Sequence, residues 1–326
     1  MNAAATTSPE DHCLEGQAVV ITGAARGLGA AYARLAAAEG ARVVVNDIDA
    51  AGAEAVAAQI CSAGGEACAS GANIARWDHA AALVQLCVDR YGAIDGLVNN
   101  AALFRMARPE EEEAEAVRAL IEVNVLGTLH CGVHALRHML LRRRGSIVNI
   151  TSGAQAGSSL QGAYGASKGA VASLTYSWAL DCAASGVRVN AFAPMARTAM
   201  ADTAQAYLEG HGLAPWPQLS SMPEDNAPAV VFMLSPLAAG MNGQVLRLDG
   251  GRLSLMTHPA VLHPPLERDH WSIAELQAAW SSHFAQRQLP LGVVAAEWSE
   301  RAYALPYRRA AEGSGPRSDG ERKPHA

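Results

Sequence analysis

Aromatic side chains are scarce in this 326-residue chain, at 5%, and charged residues supply only 17%. Half of the residues are apolar, and alanine and glycine carry much of that share, which suits helices packed closely on a sheet. The net charge of −6 argues against a nucleic-acid surface and leaves no polybasic patch for a membrane. No apolar run reaches the length of a membrane-spanning helix. The opening MNAAATTSPEDHC lacks both the basic start and the apolar core of a secretory signal. Six cysteines (13, 61, 68, 87, 131 and 182) form no C-x-x-C pair and no framework spacing, so they read as reduced thiols of a cytoplasmic protein. Asn149-Ile150-Thr151 matches a glycosylation acceptor but falls inside an apolar run that reads as a buried strand.

No H-E-x-x-H is present either. His130, His134 and His138 recur at helical spacing with Cys131 beside them, but no carboxylate sits among them. They read as a packed or interface face rather than a ligand set, and no metal is expected.

What is present is alternation. Residues 17–22 are β-rich, and Gly23-Ala24-Ala25-Arg26-Gly27-Leu28-Gly29 opens a strongly helical stretch ending near Gly40. Residues 42–46 form a second strand closed by Asp47. A strand, a glycine-rich turn and a helix make a phosphate cradle: the glycines let the backbone approach, and the helix N-terminus offers amide donors. The spacing here is Gly-x3-Gly-x-Gly. Asp47, 24 residues after Gly23, suits a ribose 2′-hydroxyl and would repel a 2′-phosphate, which favours NAD; its plain alternative is a helix N-cap. Arg26 argues the other way, toward NADP, but the residue after Asp47 is Ile48 rather than a second base.

Helices over 50–63 and 77–91 then alternate with strands over 66–70 and 94–98, and Asn99-Asn100-Ala101-Ala102 follows the last of these. The acidic run 110–113 favours the start of a long helix that carries Asn124 and ends in Arg142-Arg143-Arg144. Strands over 146–151 and 187–193 flank a helix running to about residue 184. Residues 194–222 lack periodicity and read as a long functional loop. A helix over 223–234 and a last strand over 243–248 complete a doubly wound, Rossmann-type parallel sheet of about seven strands. The expected organisation is a flexible leader over 1–15, a single domain over 16–255, an extension over 256–305 with one helix near 272–286, and a disordered tail over 306–326.

The chain is organised around residues 152–168, SGAQAGSSLQGAYGASK. Tyr164 and Lys168 are four apart and share a helix face, while Ser152 ends the preceding strand. A phenol with a pKa near ~10 is a poor base at neutral pH. An ammonium held beside it favours the phenolate, which can take a proton from an alcohol as a hydride leaves the same carbon. Ser152 would hold the substrate oxygen.

Taken together these pieces resemble the classical short-chain dehydrogenases/reductases over residues 15–255. Thr22, Gly23, Gly27 and Gly29 resemble that family's cofactor turn and Asp47 its NAD-selecting acid, while Asn73-Ile74 takes the adenine-contacting position. Asn99 to Ala102 resembles its Asn-Asn-Ala-Gly box, and Asn124, Ser152, Tyr164 and Lys168 match its catalytic tetrad. The resemblance implies Tyr164 as general acid/base, Lys168 lowering its pKa and binding the nicotinamide ribose, Ser152 positioning oxygen and Asn124 holding a relay water. It also implies cofactor contacts at Arg26, Leu28, Ala101, Pro194 and Thr198, and a homodimer or homotetramer built on two long helices. Three residues depart from the family pattern: Asn73 stands for Asp, Ala102 for Gly, and Met195 for the glycine after Pro194. Softer similarity to bacterial (3R)-hydroxyacyl-CoA and hydroxysteroid dehydrogenases implies an apolar secondary alcohol, with a xenobiotic or aromatic alcohol, or a non-catalytic NAD scaffold, as alternatives. Leu103, Phe104, Met195, Met200, Leu213 and Trp216 are candidates for an apolar pocket.

Overall fold

Valine, isoleucine and small residues run unbroken through the central strands, the mark of strands covered on both faces. The computed structural model describes residues 12–217, 220–260, 265–287 and 292–293. In chain order these form β1 (Ala18–Thr22), α1 (Gly27–Ala38), β2 (Arg42–Asn46), α2 (Ala50–Ser62), β3 (Glu66–Ser70), α3 (Trp77–Tyr91) and β4 (Gly96–Asn99). Next come α4 (Ala114–Ile121), α5 (Thr128–Arg142), β5 (Gly145–Ile150), α6 (Gly162–Cys182) and β6 (Val187–Pro194). The series closes with α7 (Ala199–Gly210), α8 (Pro223–Leu234), β7 (Val245–Asp249), β8 (Arg252–Met256) and α9 (Ile273–Ala279).

The strands make one sheet in the order β3-β2-β1-β4-β5-β6-β7-β8, parallel except for the last pair. Side chains alternate across it. Val19 and Ile21 face a core built with α1, α2 and α8, whereas Ala18 and Val20 face one built with α3, α5 and α6. Leu14 is fully buried in the first of these cores, and its N–H donates to Glu39 O at 2.9 Å. The expected leader at 1–11 and tail at 306–326 lie outside the described residues.

The sheet has eight strands, not seven. Asp249 pairs with Arg252 across Gly250-Gly251, with Gly250 at φ +59°, so a glycine turn sends the chain back as an antiparallel edge. Leu253 and Leu255 remain more than half exposed on it, which is why its short run carried little pattern of burial. The stretch 194–222 is also not all loop, since α7 occupies 12 of its residues. Only Ala204 and Leu208 of that helix are buried, too few to print a periodic stripe. Helices α4 and α5 join through a π-helical turn, Glu122–Gly127, into one segment. An 18-residue window of it has a mean hydropathy of 1.3, enough by length and composition to span a bilayer, but Leu120, Asn124, Cys131 and Met139 are packed inside the protein.

At the amino ends of the strands Asp95, almost fully buried, accepts from Arg142 Nη1 at 3.0 Å, Arg144 Nη2 at 2.8 Å and Ala18 N at 3.1 Å. It ties β1, β4 and the end of α5 together, far along the strands from their carboxyl ends. Asp95→Ala is expected to destabilise the fold by about 2 kcal/mol, below the figure for a fully buried pair because both guanidiniums reach solvent. Urea unfolding measures this, and an unchanged midpoint would refute it.

Candidate active site

Parallel strands deliver their carboxyl ends to one edge, and the chain reverses direction across the sheet between β1 and its neighbour β4. At that edge the glycine turn leaves β1. Gly23 has φ +65°, and a Cβ on it would come within 2.6 Å of Ala101 Cα. A Cβ on Gly29 would meet Gly23 O at 2.2 Å, so close packing of turn and helix requires both glycines. Gly27, at φ +55° and with nothing within 4 Å of where a Cβ would sit, is the open one. Arg26, exposed, precedes α1 without capping it by its side chain, so the first amides of the helix are left to a ligand.

Thr22 and Asn100 lock this turn. Thr22 Oγ1 accepts from Asn100 N and Ala101 N at 3.1 and 3.2 Å, and Asn100 Nδ2 donates to Thr22 O and Gly23 O, both at 2.9 Å. Asn100, not Asn99, faces the cleft: Asn99 Nδ2 donates to Asn149 Oδ1 at 2.9 Å, and Asn149 donates to Thr175 on α6. Alternation along the chain past β4 decides which of the two asparagine side chains faces the cavity.

Asp47 Oδ2 accepts from Ala25 N at 3.0 Å and Oδ1 from Asp49 N at 3.0 Å, which holds the carboxylate beside the glycine turn. The N-cap of α2 is Asp49, whose Oδ1 accepts from Gly52 N at 3.1 Å, so Asp47 is not needed for that task. Asn73 Oδ1 accepts from Ala75 N, and Ile74, buried, gives its carbonyl to His130 Nδ1. His130 and His134 pack their rings on Trp77, at 5.2 and 4.4 Å between centroids. Two of the three histidines expected on a packed or interface face thus pack on one ring, and burial lowers the pKa of His134.

A cavity of about 610 Å³ opens on the same edge. Ser152, Tyr164 and Lys168 line it together with Leu28, Asn100, Pro194, Met195 and Thr198. Ser152 follows β5, and Gly157 at φ +98° and Leu160 at φ +63° turn the chain back into α6. Tyr164 lies in the first turn of that helix with Lys168 one turn on. Of the apolar candidates, Phe104, Met195, Met200 and Trp216 line the cavity. Leu103 is 43% exposed and Leu213 packs with Met106, Ala204 and Leu208, so those two do not. Thr22 and Asn100 lie in the glycine turn and the Asn-Asn stretch named from the sequence, whereas Ser167, Arg247, Asp249 and Val293 carry no local signal there.

Burial sets the electrostatics. Tyr164 is pushed up to about 12 by desolvation, with a hydrogen bond to Ser152 pulling the other way. Lys168 is pushed down to about 8 by the same cause. Its Nζ donates to Ile150 O at 2.8 Å and lies 5.8 Å from the centroid of the Tyr164 ring. Phe104 closes the other side of that ring edge-on, at 5.0 Å. Asn124, in the π-helical turn, spends its side chain within the protein: Oδ1 accepts from Leu103 N at 2.7 Å, and Nδ2 donates to Leu103 O at 2.9 Å and Ser167 Oγ at 3.0 Å. Ser167 Oγ donates in turn to Tyr164 O at 2.7 Å, so Asn124 and Ser167 brace the first turn of α6.

A depressed lysine makes a prediction. Between pH 8 and pH 10 the unfolded chain keeps the Lys168 proton and the native chain has lost it, so stability contributed here rises with pH. Relative to Lys168→Met, the wild type is expected to gain about 2 kcal/mol over that interval. Urea midpoints at the two pH values test it, and a constant difference would mean that the ammonium is not desolvated.

The short chain dehydrogenase family model matches residues 17–208. The chain is 39% identical over 236 residues to cis-4-hydroxycyclohexanecarboxylate dehydrogenase of Sinomonas cyclohexanicum, covering 71% of this chain and 94% of that protein. It is 36% identical over 251 residues to 2,5-dichloro-2,5-cyclohexadiene-1,4-diol dehydrogenase of Sphingobium indicum, covering 73% and 97%. The crystal structure of a short chain dehydrogenase from Mycobacterium avium superposes with a TM-score of 0.74 at 34% identity, over 87% of this chain and all of that one. With a parallel sheet, a glycine turn and a matched family model, the chain belongs to the short-chain dehydrogenase family, oxidoreductases of CH–OH groups that bind nicotinamide cofactors.

Proposed function

We propose that this protein is an NAD-dependent dehydrogenase that oxidises a secondary alcohol on a compact, largely apolar ring, such as 4-hydroxycyclohexanecarboxylate. The observation that carries the reading is the convergence of Ser152, Tyr164 and Lys168 on one cavity that Leu28, in the first turn of α1, also lines. The ring alcohol comes from two relatives whose names place a hydroxyl on a six-membered carbocycle. A cavity of about 610 Å³ has room for such a ring beside a nicotinamide.

The glycine cradle fits a dinucleotide. Gly23, Gly27, Leu28 and Gly29 would take the pyrophosphate on backbone amides, with Arg26 beside them. Asp47 would accept from the adenosine ribose, Asn73 and Ile74 would border the adenine, and Ala101 would lie along the turn. Pro194 and Thr198 would border the carboxamide, with Met195 filling space that a glycine would leave open. NAD supplies the hydride acceptor. Tyr164 takes the hydroxyl proton, and Ser152 Oγ holds the same oxygen. Lys168, charged below its pKa of about 8, favours the phenolate and binds the nicotinamide ribose. Asn124 would act through its backbone carbonyl, which accepts from Thr128 Oγ1 at 2.8 Å within the π-helical turn, by holding a relay water. Assembly as a dimer or tetramer belongs to the same reading: Leu126, Leu141 and Leu180 are exposed on the long helices, Leu141 by 86%.

Tyr164→Phe is expected to lower kcat by roughly 10²- to 10⁴-fold and leave NADH affinity unchanged. A wild type that binds NADH yet shows no turnover for Tyr164→Phe to remove would support a scaffold instead. Wild-type kcat/KM is expected to favour NAD over NADP, and Asp47→Ser to narrow that ratio by at least about tenfold, the loss of one charged hydrogen bond. A preference for NADP in the wild type would show that Arg26 outweighs Asp47.

A further inference from the structure

Resting on that ring-alcohol reading, we infer that Arg247 fixes the substrate class: it receives a carboxylate carried on the same compact skeleton as the hydroxyl. The cavity wall is mostly apolar, and its only charged residues among those described are Lys168, Arg247 and Asp249. Lys168 is committed to the backbone of β5 and to the Tyr164 ring. Arg247 is not committed in that way. It sits on β7 with its side chain only 16% exposed, and its single hydrogen bond among the described residues runs from Nη2 to Asp249 Oδ2 at 3.1 Å.

The other guanidinium nitrogen reaches toward the reacting end. Nη1 lies so near Gly153 that a Cβ there would come within 2.8 Å of it, and Gly153 directly follows Ser152. A guanidinium has five N–H donors in a rigid fork that matches a carboxylate. A hydrocarbon substrate filling this cavity would strip water from those donors and replace it with nothing, which disfavours binding. A carboxylate restores the bonds. Asp249 offsets part of the Arg247 charge, but it engages Nη2 alone and leaves the other guanidinium donors without a partner among the described residues. Because the fork lies against the residue that follows the hydroxyl-holding serine, a compact skeleton carrying both the acid and the alcohol suits the site.

The test uses the full chain with NAD, and compares 4-hydroxycyclohexanecarboxylate with its neutral methyl ester. The wild type is expected to favour the acid in kcat/KM by roughly 10- to 100-fold, the range for a hydrogen bond to a charged group. Arg247→Gln is expected to remove that preference, chiefly by raising KM for the acid, while leaving NADH affinity unchanged, and Arg247→Lys to restore part of it. Equal loss on acid and ester, or a wild type that favours the ester, would overturn the inference. Equilibrium binding of cyclohexanecarboxylate, which has no hydroxyl, to the NADH complex separates the two claims. Binding that weakens at least about tenfold in Arg247→Gln, without turnover of either alcohol, keeps the arginine site and refutes the ring-alcohol reading. Ester turnover with no carboxylate binding does the reverse.

Discussion

Six consecutive parallel pairings, from β3 through β7, constrain everything else in this molecule. Each pairing needs a crossover helix, so the sheet is covered on both faces and its strands must be apolar throughout. Each also brings another carboxyl end to the same edge. Thr22, Asn99, Ile150 and Pro194, remote in sequence, end neighbouring strands there. Every residue assigned to cofactor or substrate hangs from that edge. The ion cluster on Asp95 secures the opposite one.

Desolvation runs through the site as the second constraint. A lysine and a tyrosine are both enclosed, and enclosure opposes the charged form of each, with Lys168 near 8 and Tyr164 near 12. A cation and an anion that are each unfavourable alone favour each other when they form side by side in low dielectric. The same reasoning applies to Arg247, whose donors lose water when the cavity fills. In the roles proposed for Tyr164 and Arg247, the protein reads an alcohol by the proton it can release and an acid by the charge it carries.

Asn124 spends its side chain within the protein. All its amide donors are spent on Leu103 and Ser167. What it supplies is a fixed π-helical turn and, through Ser167, a fixed start to α6. Asn99 is similar, since its side chain pairs across the sheet with Asn149 while Asn100 holds the glycine turn.

Local physics made much of this legible in the sequence. Glycines at fixed spacing, apolar runs broken by turn residues, and Tyr164 four residues before Lys168 are short-range facts, and they set the doubly wound fold, the cofactor turn and the identity of the central trio. The family model and the M. avium structure agree on that fold and family. Other features depended on partners far along the chain. β8 exists because β7 offers an edge, not because Arg252–Met256 prints a strong pattern. α7 buries too little of itself to show a stripe. The choice of Asn100 over Asn99, the exclusion of Leu103 and Leu213 from the cavity, and the placing of Arg247 beside Gly153 were decided by tertiary packing alone. Which way a side chain faces across a sheet is set by register, and register is a relation between strands that no single stretch contains.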